Sequence, residues 1–243
     1  NRITQLIDDG SDVIDFGAES TRPGAKEVSF EEQLSRVEPV FGYLKNVSSR
    51  KILFSCDTRN SEVASKSIES GVKIINDVSG GSHDLKMLDV IASNKSLCVL
   101  MHMRGNPENM NSLAKYNNVV DDVCSELENT LDKALKAGIS EAAIMIDPGI
   151  GFAKTAIDCV ALLHSVEIIK TRIAFPMLIG LSRKSFLAKL MSDLPNSVKK
   201  DEIESATHYL SYHLSKKNID ALRVHEPAST LNAIKFYKNL SDK

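Results

Sequence analysis

Tryptophan is absent from this 243-residue chain, and all aromatic residues together reach only 5%. An aromatic stacking platform for single-stranded nucleic acid is therefore not expected. Charge of one sign is lacking too: 30 Lys and Arg against 32 Asp and Glu leave a net charge of −2, too little for a cationic field that binds nucleic acid or anionic lipid. Any anion must be held by a local pocket. No apolar run approaches the roughly 18 residues of a membrane helix, and the opening residues do not read as a secretory signal. Cysteine is scarce. Cys56, Cys98, Cys124 and Cys159 show no C-x-x-C spacing, which suits reduced, packed thiols in a cytoplasmic compartment rather than a zinc site or disulfides. There is no H-E-x-x-H metal spacing, and Ser20 and Thr21 lack a nucleophile-elbow context, so no covalent serine mechanism is expected.

What is present is alternation. Short Val/Ile/Leu/Met runs predict strands at Val13 to Gly17, Ile52 to Cys56, Lys73 to Val78, Leu97 to Met103, Ala142 to Ile146, Met177 to Leu181 and Leu222 to His225, covered on both faces. Helical patterns separate them, at Phe30 to Asn46, Ser61 to Ser70, Leu85 to Ser93, Ala156 to Thr171, Glu202 to Lys217 and Ser229 to Asn239. A further helix is read from Val119, Val123, Leu127, Leu131 and Leu135, which recur every fourth residue before Gly138. Strict alternation argues for parallel βαβ units, and one domain over residues 1–243 is the expectation. Seven strands are one short of a closed barrel, and the helix over residues 1–9 lacks the strand that should precede it. The expected fold is an α/β TIM (β/α)₈ barrel lacking its first strand in this chain, with an open doubly wound sheet as the alternative. Residues 192–201 read as a surface loop.

Seven of the apolar runs end in polar clusters: DFGAESTRPG, SCDTRN, INDVSGG, MHMRGNP, DPGIGFAK, GLSRKSF and RVH. In a barrel these ends share one mouth. Asp57, Asn76 and Asp147 each close a strand, where a buried polar group needs a ligand or a side-chain partner. One such Asp alone reads as a capping or turn residue; three together with Lys184 read as a site. Lys184 precedes a helix start, where a cation is disfavoured unless a carboxylate or an anionic ligand lies beside it, with Ser185 joining the helix amides. Arg223 and His225 alternate on the last strand and face one side. With Arg22 across the mouth they fit a phosphate or diphosphate, the competing reading being an Arg paired with a carboxylate such as Glu19. His102 reads as a packed or locally bonded histidine. Gly80, Gly81, Gly149 and Gly151 allow tight turns.

ESTRPG, INDVSG, DPGIGF, SRKSF and RVH, in this order and spacing over residues 11–226, resemble the dihydropteroate synthase family, the sulfonamide-targeted enzymes of folate biosynthesis. The resemblance implies a transferase that condenses 6-hydroxymethyl-7,8-dihydropterin diphosphate with 4-aminobenzoate to give 7,8-dihydropteroate and diphosphate. It assigns the pterin to Asp57, Asn76, Met101, Asp147 and Lys184, and the diphosphate to Arg223, His225 and Arg22. Thr21, Pro23, Phe152 and Ser185 fall to 4-aminobenzoate, and Lys184, Arg223, His225 and Arg22 carry the catalysis. Mg²⁺ is implied with the diphosphate, its protein contact belonging to an Asn strand and a TPDSFSDG-type loop expected upstream of residue 1. A homodimer in the cytoplasm, or in mitochondria of a eukaryote, is implied, as is room for a longer, multifunctional folate-pathway polypeptide. Ala18 stands where a second Gly is usual, Glu226-Pro227 where Asp-Val is common, and Ile203 to Thr207 departs from the usual Gly-Thr/Ser pair. A methyltetrahydrofolate-type methyltransferase and a catalytically inactive structural barrel are the alternatives.

Overall fold

A computed structural model describes residues 2–44, 52–191 and 200–241. Strands and helices alternate as far as β5, and two helices follow each of β5 and β6: α1 Arg2–Asp8, β1 Val13–Gly17, α2 Phe30–Leu44, β2 Leu53–Asp57, α3 Ser61–Glu69, β3 Ile74–Asp77, α4 Met87–Ser93, β4 Leu97–Met101, α5 Val119–Lys136, β5 Ile144–Asp147. Then come α6 Ala156–His164, α7 Val166–Ile173, β6 Leu178–Gly180, α8 Ser185–Leu190, α9 Lys200–Ser215, β7 Ala221–Arg223 and α10 Pro227–Ser241. All seven expected strands are present, with ends shifted by a residue or two. The last two residues of the helix expected to Asn46, and most of the expected loop at 192–201, lie outside the described residues.

β1 to β5 form one parallel sheet in sequence order, and β6 pairs with β7. A parallel bridge between Ile146 and Met177 joins the two sheets. The wall therefore runs from β1 round to β7 without closing: among the described residues no backbone pairing links β7 to β1. The inner layer is correspondingly open at its base, where Val13, Leu53 and Leu97 are 39%, 42% and 40% exposed.

Helices cover the outer face of the strands. Phe16 meets Phe41 of α2 edge-on at 6.4 Å, and the Ser67 hydroxyl of α3 lies 3.2 Å from the Cys56 sulfur. Ile75, Leu100, Ile146 and Ile179 are fully buried in this layer, and truncating any of them to Ala costs about 2–5 kcal/mol. α5 is capped by Asn118, whose side chain accepts from the Val120 and Asp121 amides. Its four-residue repeat drifts about 40° per step around a helix of 3.6 residues per turn, so Val119 to Leu131 are buried while Leu135 has rotated out to 37% exposure. The single helix expected over Ala156 to Thr171 is two, broken at Ser165, where φ −96° and ψ 12° leave the helical region. Both halves bury their apolar faces, Cys159, Leu162 and Leu163 in α6 and Val166, Ile169 and Ile173 in α7, so the break is silent in the hydrophobic pattern. All four cysteines are free and buried. Among the described residues no helix is long and apolar enough to cross a membrane.

Candidate active site

Because alternate strand residues face opposite ways, placing Phe16, Cys56, Ile75, Leu100 and Ile146 outward turns Asp15, Asp57, Asn76, Met101 and Asp147 inward. The parallel register sets these ends side by side: Gly17 beside Asp57, Asp57 beside Asn76, Met101 beside Asp147 and Gly180 beside Arg223. The inner rim therefore carries a row of polar groups from four strands with Met101, only 3% exposed, set among them.

Arg223 spans the open seam of the barrel. Its Nε donates to Asp15 Oδ2 at 2.6 Å and its Nη2 to Asp57 Oδ2 at 2.8 Å, while Asn76 Nδ2 donates to the same Asp15 oxygen at 3.2 Å. The arginine thus pairs with internal carboxylates, and they are Asp15 and Asp57 rather than Glu19. Glu19 instead holds Arg59, at 2.8 Å with both side chains almost fully buried, a pair whose rupture costs about 3–5 kcal/mol. Asp15 and Asp57 each keep one buried oxygen with no protein partner. Each is a buried polar atom whose hydrogen bond the protein does not supply. Burial, reinforced by Asp15, pushes the Asp57 carboxyl up, and Arg223 opposes the rise. Asp77, the next residue after Asn76, is fully satisfied by the Ser79 amide and hydroxyl and the Gly81 amide, which fixes the turn leaving β3.

Across the rim, Asp147 Oδ1 accepts from the Gly149 amide at 2.7 Å. Burial raises the Asp147 carboxyl and Lys184 opposes it. Lys184 itself donates to the Ile150 carbonyl, not to a strand-end carboxylate, and its Nζ rides 4.2 Å above the Phe152 ring. Burial lowers this ammonium to about 8 against the pull of Asp147. His225 lies 2.9 Å through Nδ1 from the Ser182 hydroxyl, which also accepts the His225 backbone amide. With one lone pair taken by that amide, the hydroxyl keeps a proton and a second lone pair for Nδ1, so the contact fits either tautomer of the ring. Burial, then Arg183 and Arg223, lower the His225 pKa, and Arg22 adds to the effect from the loop after β1. Arg22 and Pro23 are exposed and Thr21 half-buried, on a loop tied down by the Gly24 amide donating to Pro107 at 2.8 Å. Ser185 is exposed at the start of α8.

The structure thus brings Asp57, Asn76, Asp147, Lys184 and Arg223 to one rim, with Phe152 under Lys184 and His225 and Arg22 at its edge. Three groups escaped the sequence reading. Asp15 is a carboxylate in the middle of an apolar strand, and the alternation in VIDFG was the signal for it. Arg59 and Lys154 look like loop cations in sequence and give no such sign. His102 is 4% exposed and bonded locally, to Glu126 and Lys154. Among the described residues no group of three or more His, Cys, Asp or Glu is placed to hold a metal.

Comparison with known proteins gives this rim a context. The family model described as "Pterin binding enzyme" matches residues 1–225. The dihydropteroate synthase of Bacillus subtilis is 39% identical over 91% of this chain and 73% of its own length. That of Synechocystis sp. is 38% identical over 76% of this chain, and the chain spans only 63% of that relative. The solved Xanthomonas albilineans dihydropteroate synthase with 4-aminobenzoic acid superposes with a TM-score of 0.88 at 32% identity, covering 99% of this chain and 83% of that one. The chain belongs to the dihydropteroate synthase family of pterin-binding enzymes.

Proposed function

We propose that this chain carries the dihydropteroate synthase reaction, joining 6-hydroxymethyl-7,8-dihydropterin diphosphate to 4-aminobenzoate. One observation carries the reading: Asp57, Asn76 and Asp147, from three strands, meet Lys184 and Arg223 on one inward rim, where one oxygen each of Asp57 and the neighbouring Asp15 is buried without a partner. A pterin edge is rich in donors, its amino group and ring N–H, and matches those acceptors, while Lys184 donates to its carbonyl and ring nitrogen. Met101 packs on the ring face. The diphosphate lies toward Arg223, His225 and Arg22. 4-Aminobenzoate lies against Phe152, between Thr21 and Pro23 of the loop after β1 and Ser185 of α8. Mg²⁺ accompanies the diphosphate as part of the substrate.

In the reaction the bond from the pterin's methylene carbon to the diphosphate oxygen breaks, and its electron pair leaves with the diphosphate. The amine nitrogen then bonds to that carbon, and its proton passes to solvent. No side chain acts as nucleophile. Rate comes from holding both substrates in line and from cations at the place where charge grows on the leaving group. Arg223 has a double duty, since the diphosphate must compete for it with Asp15 and Asp57. Residence in the cytoplasm and assembly as a homodimer belong to the same proposal.

The test is incubation with both substrates and Mg²⁺, run on this chain and on a version with one more N-terminal strand able to fill the seam between β7 and β1. Dihydropteroate and diphosphate are expected in equal amounts, with Arg223→Ala reducing kcat/KM by about tenfold to a hundredfold or more, the worth of a charge-assisted contact. Binding of pterin without product in both versions would favour an inactive barrel instead.

A further inference from the structure

The loop leaving β5 is held by more side chains than its length requires. Lys184 donates to the carbonyl of Ile150, Lys154 to that of Phe152 at 3.0 Å, and the Tyr116 hydroxyl to that of Ala153 at 2.9 Å. The Lys154 ammonium is buried and lies 2.9 Å from His102 Nδ1. Since Lys154 as ammonium has only donors, His102 Nδ1 accepts from it, and Nε2 carries the proton that goes to Glu126 Oε2 at 2.9 Å. Glu126 in turn receives Arg104 Nε at 2.9 Å, and the Arg104 guanidinium sits 4.0 Å over the Tyr116 ring. The circuit closes on the loop it began from.

Lys154 is the costly member. Its hydrogen-bond acceptors are an imidazole nitrogen and backbone carbonyls, and burial lowers its ammonium to about 7. A buried lysine held on neutral acceptors contributes little to stability, since desolvation works against it. What its placement fixes is geometry: Lys154 holds the Phe152 carbonyl while the Phe152 ring lies under the Lys184 ammonium.

We propose that Lys154 is a positioning residue for the second substrate: through the Phe152 carbonyl, backed by His102 and Glu126, it fixes the Phe152 ring as the wall against which the aromatic amine lies. This rests on the placement of 4-aminobenzoate beside Phe152 proposed above. It distinguishes Lys154 from Lys184, which touches the pterin itself.

Calorimetric titration tests it on the wild type, Lys154→Met, Lys154→Arg, Tyr116→Phe and Phe152→Ala. Each is titrated with 6-hydroxymethylpterin alone, and with 4-aminobenzoate after saturation with that pterin and inorganic diphosphate. Lys154→Met should weaken 4-aminobenzoate about tenfold, the effect of losing a charge-assisted hydrogen bond, with pterin affinity changed less than about twofold. Lys154→Arg should recover part of the loss. Tyr116→Phe should show the same split at about threefold, as fits one neutral hydrogen bond, and it carries the test should Lys154→Met not fold. Equal weakening of both ligands, or of neither, would overturn the proposal. If Phe152→Ala weakens 4-aminobenzoate and neither loop variant does, the proposal alone fails. If Phe152→Ala leaves 4-aminobenzoate unchanged, the placement of that substrate fails and the proposal with it.

Discussion

Asp57 is a group whose ionisation the fold contests. Burial and Asp15 favour its proton, while Arg223 favours its charge, and the balance lies above the ordinary carboxylate range. The folded protein therefore holds that proton at pH values where the unfolded chain, with a carboxyl near the usual value of about 4, has lost it. In that window the folded state binds more protons, so this residue's contribution to stability is full in acid and is lost as pH rises from about 4 toward neutrality. Urea midpoints measured across this range should show that decline for the wild type and a flatter line for Asp57→Asn; parallel lines would show that Asp57 is ionised throughout. At this scale the sequence displayed the strand-end residues because a polar side chain closing an apolar run is visible one strand at a time. The partners were not visible. That Arg223 turns to Asp15 and Asp57 while Glu19 takes Arg59 depends on which strands are neighbours across an open seam, and no spacing along the chain encodes it.

Among the elements, the turn after β5 shows how backbone shape serves the rim. Gly149 has φ +70°, and a Cβ built there would lie 2.0 Å from the His102 carbonyl oxygen. Its amide also holds Asp147 Oδ1 at 2.7 Å. Gly149→Ala must therefore carry left-handed strain of about 1–2 kcal/mol and also displace one of two packed backbones. Thermal unfolding should shift down by at least about 2–4 °C per kcal/mol for a chain of this size, and pterin affinity should fall with it as Asp147 loses its anchor. A variant with the wild-type melting temperature would show that the turn relaxes freely. Strands were the most legible elements, since continuous Val/Ile/Leu runs between helical repeats have few other readings. The break at Ser165 was hidden, because the apolar stripe of α6 continues into α7 without a phase change.

Among the described residues the molecule is a seven-stranded wall, bent far enough to aim four strand ends at one point yet unpaired between β7 and β1. Its function rests on that convergence. Asp57 on β2, Asn76 on β3 and Asp147 on β5 lie up to 90 residues apart in sequence, and only a barrel-like curvature lets one small ligand touch all three. Titration of 6-hydroxymethylpterin into the wild type and into Asp147→Asn tests this most directly, because Asp147 lies on β5, a strand paired with β4 and away from the seam. One saturable site per chain is expected, weakened in Asp147→Asn by about 1–3 kcal/mol or more as an acceptor becomes a donor facing a donor. Absence of binding to the wild type, or equal affinity in the variant, would contradict the convergence on which the account stands.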